Sequence, residues 1–306
     1  MAILDRAIAR LLPAVPKPIV QKVSERYIAG TDVADACRVV KRLNAEGKMA
    51  TIDVLGEEIT AREEALQIVR AYKAVFEAIE REDLDSNVSV KLTALGLKLG
   101  YELCKEDLLE VVRHAAAREN FVRIDMEDSS CTNDTLRLYR ELRAEGHDNV
   151  GVVLQAYLRR TIRDVRDLVP LGANVRLCKG IYVEPPSIAY QDFQAVRDSF
   201  VQCLDELFAG GCYVGIATHD EWLIERGLEL VEKHGLVPEQ YEFQMLLGVR
   251  PERGDQLVGA GHRLRIYVPF GEHWYGYSLR RLQENPKIAG YIAADTLGRI
   301  FGRNGT

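Results

Sequence analysis

The chain has 306 residues, 47% hydrophobic and 28% charged, with a formal net charge of −6. It holds no run of about 18 uncharged apolar residues that would span a bilayer. The acidic balance, with no basic, aromatic-rich stretch, argues against nucleic-acid binding and for a small-molecule partner. Six cysteines (Cys37, Cys104, Cys131, Cys178, Cys203 and Cys212) show neither CxxC nor zinc-ligand spacing. A chain of this length needs no disulfide staples, so they read as reduced thiols of a cytosolic protein. The N-terminus, MAILDRAIARLL, carries charges inside its apolar run and no small-residue cleavage site, and does not read as a signal peptide.

Residues 2–12, 18–29 and 32–47 repeat apolar positions at helical spacing, punctuated by Pro13, Pro16, Pro18 and Gly30, with Thr31 or Asp32 as N-cap. The first sets Arg6 and Arg10 opposite its apolar side, a pattern that suits packing on its own domain or contact with a membrane surface. Residues 1–48 are expected to form an N-terminal helical segment, and residues 49–306 one barrel domain. A barrel can use the whole length, so the prior of roughly 150 residues per domain does not force a division.

From residue 50 short strand-like runs alternate with amphipathic stretches. The predicted strands are ATIDVL (50–55), NVSVKLT (87–93), FVRIDM (121–126), VGVVLQAY (150–157), ANVRLCKG (173–180), YVGIATH (213–219), YEFQML (241–246) and RLRIYVPF (263–270). Helical patterns fall at 60–82, 105–119, 133–145, 160–169, 190–209, 221–234 and 252–260, with another after the last strand and a short terminal one within 286–306. Strands each followed by a helix within one domain predict an α/β fold, a (βα)8 barrel. The rival doubly wound sheet lacks both GxGxxG after its first strand and GxxxxGK[ST] anywhere.

Catalytic groups of such barrels collect at the C-terminal ends of the strands. Polar residues recur there: Asp53 and Glu57, Lys91, Asp125 and Glu127, Gln155, Arg176 and Lys179, Thr218 and His219, Glu242 and Gln244, and Tyr267. Any one suits a satisfied interior position, whereas the recurrence predicts a polar site at one mouth. Beyond the last strand, Tyr277, Arg280, Arg281 and Glu284 share helical spacing. Two arginines beside a tyrosine suit a carboxylate clamp through parallel hydrogen bonds, or a solvated helix face. With Lys91, Arg176 and Lys179 they would bring several cations to the mouth, matching an anionic substrate or phosphorylated cofactor. The sequence has no HExxH, no paired-His spacing and no GxSxG, so no metal site is expected. A Schiff-base aldolase or lyase using Lys91 or Lys179 is one rival reading, and a non-catalytic flavin or amino-acid binding protein another.

RLCKGIY (176–182), ATHD (217–220), YEFQMLLG (241–248), RIYVPFG (265–271) and YSLRRLQEN (277–285), with VKLT and RIDMED upstream, resemble the motifs of flavin-dependent proline dehydrogenases in family order. The resemblance covers roughly residues 50–285, and the length resembles the monofunctional bacterial enzymes. It implies a distorted (βα)8 barrel of the TIM type, with extra N-terminal helices and a substrate-clamping helix after strand 8. It also implies FAD held at the strand ends without a Rossmann motif.

By the same resemblance, Arg280, Arg281 and Lys91 match residues that hold the carboxylate of L-proline, and Tyr267 and Tyr277 match residues around its ring. Asp125 matches the active-site aspartate and Arg176 the arginine near flavin N5 and O4. Met126, Gln155, Lys179, Gly180, Ile181, Thr218 and His219 match FAD-contacting positions. Glu57 matches a glutamate that pairs with Arg280 when the site is empty, a possible gate. Tyr277 implies proline rather than 4-hydroxyproline, because relatives that take the latter carry a smaller residue there. Cys178 and Ile181 depart from RLVKGAY, and Asp220 replaces the usual asparagine after ATH; the bulk of Ile181 leaves the flavin pose open.

The implied reaction is hydride transfer from proline C5 to flavin N5, giving Δ1-pyrroline-5-carboxylate in the first step of proline catabolism to glutamate, with electrons passed to membrane quinone. Whether Asp125 acts as base or support stays open, as do transient membrane contact from the cytoplasmic side and an oligomer.

Overall fold

The computed structural model describes residues 26–56, 59–275, 277 and 278. A helix, α1 (Val33–Ala45), leads into eight strands: β1 (Met49–Val54), β2 (Ser86–Val90), β3 (Val122–Ile124), β4 (Val150–Gln155), β5 (Asn174–Cys178), β6 (Tyr213–Ala217), β7 (Tyr241–Leu246) and β8 (Leu264–Phe270). Each pairs in parallel with the next, and β8 pairs with β1, closing the barrel. The crossovers are α2 (Arg62–Arg81), α3 (Tyr101–Ala116), α4 (Thr132–Ala144), α5 (Thr161–Leu168), α6 (Phe193–Ala209), α7 (Glu221–Lys233) and α8 (Pro251–Gly259). The expected (βα)8 architecture is therefore present.

Alternation along the strands sorts the side chains into two layers. Ile52, Val88, Val90, Ile124, Val152, Leu154, Val175, Leu177, Ile216 and Phe243 belong to one core shared with the inner faces of the helices. On α2 that face is Ala65, Val69, Tyr72, Phe76 and Ile79, spaced three or four residues apart. On α1, Asp32 caps the first turn by accepting from the Asp35 amide at 2.9 Å, and Ala36, Cys37, Val40 and Leu43 turn inward.

The alternate strand positions point into the barrel, and many of them are polar. Arg176 on β5 reaches both Asp125, just past β3, and Gln244 on β7, so these side chains meet across the interior rather than between neighbouring strands. Lower in the barrel, Glu242 on β7 pairs with Arg265 on β8 at 2.8 Å and accepts from the Tyr213 hydroxyl at 2.8 Å. Arg123 on β3 donates to the Asn174 carbonyl at 2.8 Å and the Val152 carbonyl at 3.2 Å. Barrel interiors are usually filled with branched aliphatic layers; here charged and polar side chains take much of that space, bonded to one another and to the strand carbonyls.

Element ends differ from expectation at a few points. Strand β2 stops at Val90 and β3 at Ile124, so Lys91 and Asp125 lie just beyond the strands; the Asp125 amide still donates to the Val90 carbonyl at 2.9 Å before the chains diverge. Helix α3 starts at Tyr101, ahead of the expected residue 105. The helix expected over 18–29 does not include residues 26–29, which form a turn and an irregular stretch. There the Ala29 amide donates to the Pro269 carbonyl at 2.9 Å, and the Gly271 amide to the Gly30 carbonyl at 3.0 Å, so the end of β8 competes for this backbone. No described helix is long and apolar enough to cross a membrane.

Candidate active site

At the C-terminal mouth, the ends of β1, β2, β3, β5, β7 and β8 converge on one hydrogen-bonded chain. Asp53 accepts from Lys91 Nζ at 2.8 Å, and Lys91 also donates to the Tyr267 hydroxyl at 3.2 Å. Tyr267 donates to Asp125 Oδ2 at 3.0 Å. The other oxygen, Oδ1, accepts from Arg176 Nη1 at 2.6 Å and from Ser89 Oγ at 3.3 Å. Arg176 in turn donates through Nε to Gln244 Oε1. Lys91 Nζ lies 5.9 Å from the centre of the Tyr267 ring and the Arg176 guanidinium carbon 5.4 Å, so two cations stand close to this ring.

Burial sets the protonation of this chain. Asp53 is fully buried, which raises its carboxyl above the ordinary range although the Lys91 charge opposes the rise. Desolvation, then the charges of Asp125 and Asp53, push the Tyr267 hydroxyl well above its ordinary value. Tyr267 is thus held as a neutral donor. At the barrel floor, Glu242 is held down to about 2: burial would raise it, but the Arg265 charge and hydrogen bond outweigh that penalty.

The β5 motif and the β6 end form a second cluster. Lys179 Nζ reaches Asp220 Oδ2 at 3.3 Å and lies 5.2 Å from the centre of the Phe193 ring. Asp220 also accepts two bonds from Arg197, at 2.9 and 2.6 Å. Gly180 has a φ of +106°, and a Cβ there would lie 2.1 Å from the Tyr157 ring, so the turn after Lys179 admits only glycine. Ile181, Val183 and Phe193 are exposed alongside it. Burial pushes the Cys178 thiol up to about 11, which keeps it protonated and inert.

Gln155 and Met126 are buried at neighbouring strand ends, and Gln155 donates to the Glu127 carbonyl at 2.8 Å. Thr218 Oγ1 accepts from the Asp220 amide at 3.1 Å. His219 Nε2 accepts from the Leu246 amide at 2.9 Å, which assigns the neutral ring's proton to Nδ1.

The expected site residues divide into three groups. Lys91, Asp125, Arg176 and Tyr267 meet directly. Tyr277 is buried with Tyr27, Ile28 and Leu55, beside Trp274 and Val249, at the start of the helix after β8, and is near enough to Tyr267 to contribute to the rise of its hydroxyl. Arg280, Arg281 and Glu57 lie outside the described residues. Glu242, expected near the mouth, is the second residue of β7 and serves the floor ion pair instead, because register sets depth along a strand more strictly than a residue's polarity does.

Ser89 and Arg197 are not among the residues expected from the sequence, and Asp53 and Gln244, expected at the polar mouth, carry no assigned role there. Their signal was present in part: Asp53, Ser89 and Lys91 fall on the polar phase of TIDVL and NVSVKLT. The partner of Asp220 was unreadable, since Arg197 comes from a different crossover.

Several buried polar atoms have no hydrogen-bond partner among the described residues, and one of them, Arg176 Nη2, is a donor on the chain at the mouth. Arg176 is 6% exposed. An unsatisfied buried guanidinium nitrogen is costly, so it marks a place for an acceptor atom of a ligand. A flavin fits that demand, with carbonyl and ring-nitrogen acceptors on one edge, and the exposed apolar residues beside Gly180 suit flat rings.

The sequence model of the family described as proline dehydrogenase matches residues 36–293. Proline dehydrogenase 1 of Bacillus subtilis subsp. natto is 39% identical over 269 residues, covering 88% of this chain and 89% of the relative. The proline dehydrogenase of Deinococcus radiodurans is 33% identical over 279 residues, 90% of each chain. A solved structure of proline utilization A (PutA) from Bdellovibrio bacteriovorus, inactivated by N-propargylglycine, superposes with a TM-score of 0.81 at 25% identity. That match covers 87% of this chain and 33% of the PutA chain. With a family match across most of its length, relatives above 30% identity over nearly their full extent, and the same barrel, the chain belongs to the proline dehydrogenase family.

Proposed function

We propose that the protein oxidises L-proline to Δ1-pyrroline-5-carboxylate with FAD, the first step of proline catabolism, and passes the electrons to membrane quinone. When bound, FAD supplies the oxidant that accepts the hydride from proline C5. The strongest support is the Arg176–Asp125–Tyr267–Lys91 chain at the barrel mouth, in a member of this family, with Arg176 Nη2 left unsatisfied.

Lys91, Arg280 and Arg281 bind the substrate carboxylate, and Tyr267 and Tyr277 pack around the ring, so that C5 is presented in one orientation. Glu57 is assigned the role of a gate that would pair with Arg280 before the substrate binds. Met126, Gln155, Lys179, Gly180, Ile181, Thr218 and His219 hold the cofactor, and Arg176 places positive charge beside its redox-active edge, where it favours the reduced form. Asp125 accepts from Arg176, Ser89 and Tyr267, which commits both of its oxygens. We assign it the task of holding those partners in place rather than of taking the proton of the proline amine.

The deciding experiment mixes purified, yellow holoenzyme anaerobically with L-proline and follows flavin absorbance. Bleaching is expected; an unchanged spectrum overturns the assignment. Quinone use from the cytoplasmic face of the membrane is tested by co-sedimentation with quinone-containing vesicles of the full-length protein and of a version lacking residues 1–25. Weaker partitioning of the truncated form is expected, and equal partitioning removes the N-terminal segment from the membrane contact.

A further inference from the structure

Gln244 has no task in the reaction as drawn so far, yet it stands behind the residue nearest the expected flavin. Its Oε1 accepts from Arg176 Nε, and its Nε2 donates to Glu242 Oε1. An amide has one accepting end and one donating end, so the carboxylate of Glu242 dictates which end faces Arg176. Glu242 is itself fixed, accepting from Arg265 Nε at 2.8 Å and from the Tyr213 hydroxyl at 2.8 Å. Arg265 is tied to the wall by a bond to the Ala50 carbonyl at 2.7 Å.

Space for the amide comes from β6. Gly215 pairs in register with Glu242, and a Cβ at Gly215 would lie 2.4 Å from Gln244 Nε2 and 2.8 Å from its Cδ. Any larger residue there would push the amide off Arg176. The Arg176 guanidinium is thus held on two edges, Nε by Gln244 and Nη1 by Asp125, and a planar group pinned on two edges has one orientation left for its third nitrogen.

We propose that Gln244 is a positioning residue for the redox step: backed by Glu242 and given room by Gly215, it fixes the plane of Arg176 so that Nη2 faces the flavin. This rests on the reading of Arg176 as the flavin's cationic neighbour. Asp125 alone would keep the positive charge in the barrel, but with the guanidinium free to swing about one contact. Gln244 turns a nearby charge into an aimed donor, and preorganised donors stabilise developing negative charge more than mobile ones do.

The test uses holoenzyme carrying Gln244→Met, Gly215→Ala or Arg176→Met. FAD content, thermal stability and the flavin midpoint potential, measured by anaerobic equilibration with a reference dye, are compared with the parent. Gln244→Met and Gly215→Ala are each expected to keep FAD, to lower the potential by the equivalent of a tenfold change in the oxidation equilibrium, about 30 mV for two electrons, and to lower kcat with KM for proline unchanged. Arg176→Met is expected to shift the potential at least as far. If Arg176→Met shifts the potential and the other two leave it at the parental value, the role of Gln244 is overturned while the placement of Arg176 stands. A potential unmoved in all three overturns that placement and the proposal with it. Should Gln244→Met fail to fold, Gly215→Ala, which leaves Gln244 present and displaces only its amide, decides the matter by the same potential.

Discussion

Asp125 and Arg176 come from strands that are not neighbours, yet they meet at 2.6 Å inside the barrel, both nearly buried. Breaking a buried pair from one side strands the other charge, at a cost of roughly 3–5 kcal/mol. Asp125→Ala should therefore lower the denaturation midpoint while also slowing anaerobic flavin reduction by proline, on the order of 10²-fold. Stopped-flow reduction and urea unfolding measure the two effects separately. An undiminished reduction rate would exclude Asp125 from catalysis.

Arg281→Ala removes half of the proposed carboxylate clamp. The apparent proline requirement should rise at least tenfold, about 1.4 kcal/mol of binding, with FAD retained. Steady-state kinetics identical to the parent's would sink the clamp.

The Glu242–Arg265 pair makes a prediction about acid stability. The Glu242 carboxyl lies at about 2 in the folded protein against an ordinary 4.5. A depressed carboxylate contributes stability above its unfolded value and loses it as pH falls toward the folded one. The difference of roughly two to three units corresponds to about 3 kcal/mol. Glu242→Gln should thus be markedly less stable than the parent at pH 7, and the gap should narrow between about pH 4.5 and pH 3. Chemical denaturation of both proteins across that range checks the sign; a gap constant with pH would refute it.

At Gly180 the backbone has a φ of +106° and the Tyr157 ring occupies the space of a side chain. Gly180→Ala should cost about 1–3 kcal/mol in strain and reduce the FAD content of the purified protein. A variant with parental cofactor content and melting temperature would show that the turn adjusts and that its shape does not govern the cofactor.

Much of the fold was legible because period-two and period-3.6 patterns alternate so regularly from residue 50 onward. The strand ends were less so: NVSVKLT and FVRIDM read as longer strands because Lys91, Thr93 and Asp125 continue the alternation after the ladder has ended. In the site, Lys91, Asp125, Arg176 and Tyr267 were readable from their positions and from family motifs, since each lies within a recognisable run. Gln244 was not read as the support of Arg176, because nothing in YEFQML says that its side chain reaches past β6 to one on β5. That fact belongs to closure of the barrel. The non-helical course of residues 26–29 was hidden for a similar reason: helical spacing is local, whereas the competing bonds come from Pro269 and Gly271 at the far end of the chain.

The polar filling of the barrel has a practical consequence for anyone redesigning this protein. In a barrel with aliphatic layers the lower half can be repacked for thermostability without disturbing the chemistry above. Here the floor pair Glu242–Arg265 connects through Gln244 to Arg176. A stabilising hydrophobic swap at the bottom would therefore disturb Arg176 and the proposed flavin site at the top. Stability engineering should begin in the sheath of helices, where side chains such as those lining α2 lie on the other side of the wall from the reaction.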